Sequence, residues 1–168
     1  LPAVTTNLNF TGKYLVLTTG DKKFGHSNKL SNDDRSRLSK WMEEEINRPD
    51  KEFGIIVRTN AADASKEEIL KELEYLKGLY HKAAVDGRSR TCFSCVYRTE
   101  PFYISAVRDA NSRNLEEIMT DIPEISQQIS NYLTSNSPEE KEKLRFYDDK
   151  LLPLYKLHRL ESALEEIQ

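Results

Sequence analysis

Two adjacent polar side chains after an apolar run offer the clearest chemistry in this sequence. Arg58 and Thr59 follow the apolar segment 54–57 and precede the small-residue loop 60–62. An arginine presents a planar, two-pronged donor to phosphate oxygens, and a threonine hydroxyl adds a short third contact. Because α/β proteins bind ligands at strand ends, the pair suggests an anion site. The alternative is a surface arginine that ends a strand in a salt bridge.

Two cysteines, Cys92 and Cys95, form the only CxxC pattern. A structural zinc site needs four ligands, but no second cluster exists, and His26, His81 and His158 are scattered along the chain. A thioredoxin-type pair opens a helix after a strand, whereas the residues around these cysteines are typical of a strand. We therefore interpret them as ordinary thiols of a cytoplasmic protein.

Acidic residues could form a metal-dependent hydrolytic site. Asp109 and Asp121 flank a predicted strand, and a two-metal site needs several carboxylates that converge from strand ends. The alternative, which we adopt, is that they are capping and surface acids. The sequence contains no G-x-S-x-G turn, P-loop or G-x-G-x-x-G segment. The sequence thus contains few residues in patterns that are typical of catalytic sites.

The surrounding pattern predicts the elements that would position these residues. Capping signals predict helices after Ser31 and from Ser65 to about Val85, and prolines open two more, near Pro101 and at Pro123. A last helical pattern starts at 151. The apolar run 55–57 suggests burial on both faces of its strand. The predicted strands are 4–10, 14–19, 54–59, 92–97, 115–121 and 144–147, and a basic loop covers 20–25. The pattern predicts an α+β (mixed α/β) fold whose sheets are covered by helices.

Length and charge restrict the classes of function. The 168 residues include 25 Lys and Arg against 28 Asp and Glu, a net charge of -3. Such a balance argues against a broadly basic nucleic-acid or membrane surface. No stretch approaches the length of a membrane span, and the first residues do not form a signal peptide. The missing initiator Met leads us to expect a processed chain or a piece of a longer one.

Several short segments, all in one order, carry a family resemblance. With them the sequence resembles the bacterial ribonuclease E/G family over nearly its whole length. The segments are Gly12-Lys-Tyr-Leu-Val-Leu17, Ser27-Asn-Lys-Leu-Ser-Asn-Asp-Asp-Arg35, Gly54-Ile-Ile-Val-Arg-Thr59, Leu70-Lys-Glu-Leu-Glu-Tyr-Leu76, Val107-Arg-Asp109, Glu116-Glu-Ile-Met-Thr-Asp121, Pro153-Leu-Tyr155 and Leu160-Glu-Ser-Ala-Leu-Glu165.

The resemblance implies a domain organisation. Residues 1–103 would form a 5′-sensor-like domain, with 1–11 as the linker from an absent OB-fold domain, packed on a partial RNase-H-like domain at 104–168. The catalytic domain, with its metal-binding aspartates and the zinc-linking cysteines, would follow Gln168. Cys92 and Cys95 would lie in the last strand of the sensor. Magnesium is implied only for that catalytic domain, and no cofactor is expected in this chain.

The resemblance also implies the roles of four residues in recognising an RNA 5′-monophosphate. Arg58 would hold the phosphate, Thr59 would add a hydroxyl donor, Val16 would pack against the terminal nucleotide, and Gly12 would let the backbone approach closely. A pocket this small should discriminate against a triphosphate by fit. One departure is Asn28-Lys29, which carries one positive charge less than the family's usual basic pair.

Two functional hypotheses follow. The first is the RNA 5′-end-sensing region of a single-strand-specific endoribonuclease in RNA processing and decay, inactive alone. Its partner would be single-stranded RNA with a 5′-monophosphate. We expect no interaction with a membrane. The complete protein would be a cytoplasmic homo-oligomer that assembles through regions outside this chain. The second is a non-catalytic scaffold or interaction module whose sensor pocket no longer functions.

Overall fold

The chain divides into two units, Leu1–Thr99 and Glu100–Gln168, and each unit has its own hydrophobic cluster. The structure is a computed structural model, and it describes residues 5–110 and 115–157. It confirms the predicted α+β class, because small sheets pack against helices in both units. Val4, the first residue of the strand predicted at 4–10, lies outside the described residues, as does the helical pattern beyond 157.

A four-stranded sheet forms the first unit's framework. Its strands are β1 (Asn9–Thr11), β2 (Leu15–Thr18), β3 (Phe24–His26) and β4 (Gly54–Val57), in the order β1-β2-β4-β3. The pairs β1–β2 and β2–β4 are antiparallel, whereas β3 runs parallel to β4. The carboxyl ends of β3 and β4 therefore meet at the same edge of the sheet.

Helices follow the strands where the sequence places capping residues. Helix α1 (Asn32–Trp41) begins after Ser31, whose side chain accepts a hydrogen bond from the Asp34 amide. A short α2 (Glu43–Ile46) continues it, and a 3₁₀ helix (Thr59–Asp63) follows β4. Helix α3 (Lys66–Ser89) begins with the predicted capping box between Ser65 and Glu68. Hydrogen bonds from Ser65 lower the pKa of Glu68, so its carboxylate is maintained at the positive end of the helix dipole.

The core lies on one face of the first sheet, and the other face is partly open. The sheet and the helices contribute the buried side chains Phe10, Leu15, Leu17, Leu38, Met42, Ile55, Val57, Ile69, Leu73 and Leu76. Ile56, between Ile55 and Val57, is 42% exposed. The prediction that the run is buried on both faces is therefore wrong, because this strand alternates as a one-sided sheet requires.

Three further expectations for this unit need correction. Residues 92–97 are not a strand: Phe93 has a φ of 67°, outside the extended region, and none of the described strands pairs with the segment. Helix α3 does not end near Val85 but continues to Ser89. The end of the predicted basic loop forms strand β3, which the sequence pattern missed.

The second unit surrounds a smaller core. It contains α4 (Phe102–Asp109), β5 (Ile118–Thr120), α5 (Pro123–Asn136), a 3₁₀ helix (Pro138–Lys143), β6 (Leu144–Phe146) and α6 (Leu154–Leu157). Strands β5 and β6 are parallel, with α5 in the connection between them. Pro123 opens α5 as predicted, whereas Pro101 is the N-cap of α4 rather than its first residue. The buried members of the core are Ile104, Val107, Ile129 and Leu133.

In the part of the chain that the structure describes, no helix has the length and apolarity to cross a membrane.

Candidate functional site

Arg58 leaves the sheet at the carboxyl end of β4 and is fixed there through both backbone and side chain. Its amide donates to the Tyr14 carbonyl (2.7 Å), which extends the β2–β4 pairing by one residue. Its Nη1 donates to the Gly12 carbonyl, also at 2.7 Å. The residue is half-buried. The guanidinium is thereby held against the turn that joins β1 and β2.

Thr59 lies beside Ser27 at the sheet edge where β3 and β4 both end. Their hydroxyl oxygens are 2.9 Å apart, so one donates to the other. The Ser27 amide donates to the Val57 carbonyl, which continues the parallel pairing and fixes this geometry. Two hydroxyls thus lie at the strand end from which Arg58 extends. Such a group of donors suits the oxygens of an anion.

Val16 and Ile56 form an apolar pair on the open face of the sheet. They are directly opposite in the β2–β4 register, and Ile56 also pairs with Gly25 of β3. Directly opposed residues share a face, and a Cβ placed at Gly25 would meet no atom within 4 Å. Because side chains alternate along extended backbone, Arg58 follows Ile56 on this same face. We call Val16, Ile56 and Gly25 the outer ledge.

Gly12 has a structural role within the protein, beside the one that the resemblance implies. Its amide donates to the Leu15 carbonyl (2.8 Å), and its carbonyl accepts from Arg58. A Cβ at this position would lie 2.6 Å from both carboxylate oxygens of Glu72. The absence of a side chain therefore makes room for Glu72 of helix α3.

A histidine and an arginine support the edge where Ser27 lies. Arg35 donates through Nη2 to the Ser27 carbonyl (3.2 Å). His26 Nε2 is 3.0 Å from the Ser39 hydroxyl, and its ring packs edge-on against Phe24. Burial, reinforced by the Arg35 charge, lowers the pKa of His26. This shift favours the neutral imidazole, which contributes packing and hydrogen bonding.

The other residues considered for chemistry have surroundings of their own. Cys92 and Cys95 are exposed free thiols. Arg108 Nε donates to the Asp109 carboxylate (3.1 Å), and Asp121 is exposed just after β5. Within residues 5–110 and 115–157, no three or more His, Cys, Asp or Glu side chains group in a way that could hold a metal ion.

A cavity elsewhere in the first unit has a different character. Its volume is about 360 Å³, and residues of α2, the loop before β4, and α3 line it. Lys77, in its wall, donates to Glu45 (2.7 Å) and Glu74 (2.9 Å). Burial opposes the charge on Lys77, but these hydrogen bonds outweigh it and raise its pKa. Because two carboxylates already bind this ammonium group, the cavity is poorly suited to an anion.

The structure joins Arg58 to Gly12 by a hydrogen bond, places the Thr59 hydroxyl beside Ser27 at the same strand end, and places Val16 on the open face of the sheet. The sequence interpretation missed three neighbours. Ser27 could have been identified from the sequence, because it begins one of the segments that carry the family resemblance. Ile56 could have been found by reading its strand as one-sided. Glu72 looks like any acidic residue of an amphipathic helix, so nothing local identifies it.

The fold and site together define an α+β protein with a cluster of arginine and hydroxyl donors at a strand end, beside an apolar sheet face. The model of the Ribonuclease E/G family matches residues 9–168. The chain belongs to the ribonuclease E/G family.

Three curated relatives show the extent of the similarity. Ribonuclease E of Haemophilus influenzae is 28% identical over 166 residues, 97% of this chain and 17% of that protein. The chloroplastic Ribonuclease E/G-like protein of Arabidopsis thaliana is 28% identical over 179 residues, 99% of this chain and 17% of that protein. Ribonuclease G of Haemophilus influenzae is 26% identical over 163 residues, which make up 96% of this chain and 32% of that protein. The chain thus spans 17% to 32% of the length of these relatives.

Proposed function

We propose that the first unit recognises the 5′-monophosphate end of single-stranded RNA within an endoribonuclease. The observation that carries this proposal is the position of Arg58 and Thr59 at the carboxyl end of β4, beside Ser27 and next to the outer ledge. Family membership supports RNA as the ligand class, because the relatives are named as ribonucleases. The phosphate would be bound by Arg58 with Thr59, and the first base would lie on Val16.

This arrangement is suited to one terminal phosphate rather than to a length of backbone. A guanidinium held by a backbone carbonyl is oriented before the ligand arrives, which lowers the entropic cost of binding. The net charge of -3 gives little general attraction for polyanions. Discrimination between RNA ends would therefore come from Arg58 and the hydroxyls, and the ledge would contribute affinity independent of the phosphate.

Direct binding measurements test the proposal. A fluorescent single-stranded oligoribonucleotide, made with either a 5′-monophosphate or a 5′-hydroxyl, is titrated with the chain, and the dissociation constants Kd are compared. We expect the 5′-phosphorylated RNA to bind about tenfold more tightly, as a charge-assisted contact to one phosphate allows. The Arg58→Gln variant should bind both RNAs equally.

The matched control is Arg48→Gln. It removes the same charge from the same unit, at an exposed residue that pairs with Glu45 at 3.5 Å. This variant should keep the wild-type preference. If wild type itself binds the two RNAs equally, the sensor function is wrong, and the scaffold alternative is favoured.

We propose further that phosphodiester cleavage in the complete protein is performed by residues outside this chain, with Mg²⁺ bound there. The greater length of the relatives supports this. Incubating pure chain with RNA and Mg²⁺ should give no cleavage. RNA cleavage that co-purifies with the chain would contradict the proposal if a substitution in the chain abolishes it, because a contaminating nuclease would not be affected by that substitution.

A further inference from the structure

The carboxylate of Glu72 binds three consecutive backbone amides of the β1–β2 turn. Oε1 accepts from the Lys13 amide (2.6 Å), and Oε2 accepts from the amides of Tyr14 and Leu15 (2.8 Å each). Consecutive N–H groups that converge on one point form an anion-binding concavity. In this protein, a side chain from helix α3 supplies the anion. These amides are therefore already bound within the protein.

The same turn orients the phosphate-binding arginine. Gly12 precedes the three amides, and its carbonyl accepts the hydrogen bond from Arg58 Nη1. Only a glycine at position 12 leaves room for the Glu72 carboxylate. A continuous series of contacts thus runs from Glu72 through the turn to the Arg58 guanidinium.

We propose that Glu72 is a positioning residue for 5′-phosphate recognition. By fixing the amides of residues 13–15, it fixes the direction of the Gly12 carbonyl. It thereby also fixes the plane of the Arg58 guanidinium, which donates to that carbonyl. This inference rests on the proposed sensor function and names the residue that determines its discrimination. Glu72 itself does not touch the RNA, because its oxygens are bonded to the turn.

A carboxylate suits this position better than any neutral side chain. Both of its oxygens accept, and hydrogen bonds to a charged acceptor are the stronger kind. In Glu72→Gln, one of the two oxygens becomes an NH₂ donor that must face a backbone N–H. At least one of the three amides then loses its acceptor, and the turn is free to rotate the Gly12 carbonyl away from Arg58.

The test is the ratio of Kd values for 5′-hydroxyl and 5′-phosphorylated RNA, measured with the complete chain. We expect Glu72→Gln to lower this ratio about tenfold, since the oriented charge-assisted contact is lost. Binding of the 5′-hydroxyl RNA should change little. A purely structural role would lower the melting temperature, or weaken both RNAs alike, without changing the ratio.

The matched control is Glu74→Gln on the same helix. Glu74 is 73% exposed at its side chain, pairs with Lys77, and carries the same charge. This variant should keep the wild-type ratio. If Glu72→Gln does not fold, Gly12→Ala gives the same comparison, because its Cβ would displace the carboxylate while residue 72 stays unchanged.

The outcomes separate the two proposals. A wild-type ratio near one overturns the sensor function, and this inference with it. A high wild-type ratio that survives in Glu72→Gln, or in Gly12→Ala where that variant replaces it, overturns the positioning role alone. A lowered ratio in Glu72→Gln with an unchanged one in Glu74→Gln supports the positioning role.

Discussion

The Nη1 of Arg58 donates a 2.7 Å hydrogen bond to the carbonyl oxygen of Gly12, 46 positions earlier in the chain. This contact joins the two segments that the resemblance assigns to RNA recognition. Under the proposed function, it would let a chain with a net charge of -3 bind a terminal phosphate through one oriented group. A single guanidinium is oriented by the backbone before binding, so a basic surface is not required.

Replacing Arg58 by lysine tests whether geometry or charge dominates. Lysine keeps the charge but lacks the planar fork, so it cannot bond both to the Gly12 carbonyl and to a phosphate in the same orientation. We expect Arg58→Lys to lose most of the roughly tenfold preference for 5′-phosphorylated RNA. The salt dependence of binding should be unchanged, because the number of charges is the same. A full preference in the lysine variant would show that charge alone suffices.

Ile56 should contribute affinity without contributing discrimination. The side chain is 42% exposed and lies opposite Val16 on the outer ledge. We expect Ile56→Ser to weaken both RNAs about fivefold, consistent with the loss of an apolar contact of modest area. The ratio of the two Kd values should stay as in wild type. Val85→Ser, at an exposed residue of α3, is the control and should alter neither Kd.

Gly12 and Glu72 should be coupled in folding stability. Gly12→Ala should destabilise the native chain by about 1–3 kcal/mol, because the added methyl group displaces the carboxylate from its three amides. In a Glu72→Ala background the same substitution should cost clearly less, since the displaced atoms are gone. Chemical denaturation of the four proteins gives the coupling energy. Strictly additive effects would show that the two residues do not share this contact.

Protonation of His26 should destabilise the fold as the pH decreases. Its pKa is lowered in the native state by burial and by Arg35, so the unfolded chain binds this proton more readily. Stability therefore rises with pH through the histidine range and falls on acidification. Between about pH 5 and pH 7, stability should vary less steeply in His26→Gln than in wild type. Equal slopes from denaturation series at each pH would contradict this.

Both cysteines should react freely in the native state. Cys92 and Cys95 are exposed, so a thiol reagent should modify two groups per chain without denaturant. If they are ordinary thiols, as we interpret them, the alkylated chain should keep its RNA preference and its stability within about 0.5 kcal/mol. The Cys92→Ser, Cys95→Ser double variant controls for the bulk of the reagent. A loss of preference in this variant would assign the pair a role.

Local signals in the sequence predicted much of the fold. The capping residues Ser31 and Ser65 mark the starts of α1 and α3, and Pro123 marks that of α5. These positions were predictable because a helix start depends on hydrogen bonds within a few residues. The central strands β2 and β4 were predictable from their compact apolar runs.

The errors occur where distant residues decide the local structure. Residues 92–97 have the composition of a strand, but Phe93 adopts a left-handed conformation and is fully exposed. Propensity favours a strand only where a partner strand is available. Conversely, strand β3 has no alternating pattern of its own and exists through its parallel pairing with β4.

The candidate site was only partly predictable for the same reason. Arg58 and Thr59 are recognisable because they are adjacent in sequence and follow a strand. The contributions of Ser27 and Glu72 depend on distances to segments far away in the chain. Nothing in an amphipathic helix marks one glutamate as the acceptor for three amides of another element.

The Glu72 contacts also determine when the site can be completed during folding. They join residues 57 to 59 positions apart, and contacts that close loops of this size form slowly compared with local ones. During synthesis, the strand carrying Arg58 emerges from the ribosome before helix α3 does. A nascent chain that ends before residue 72 would therefore contain the arginine but not the side chain that secures the turn beside it. The shortest fragment able to assemble this site must include α3, even though every residue proposed to touch RNA precedes that helix.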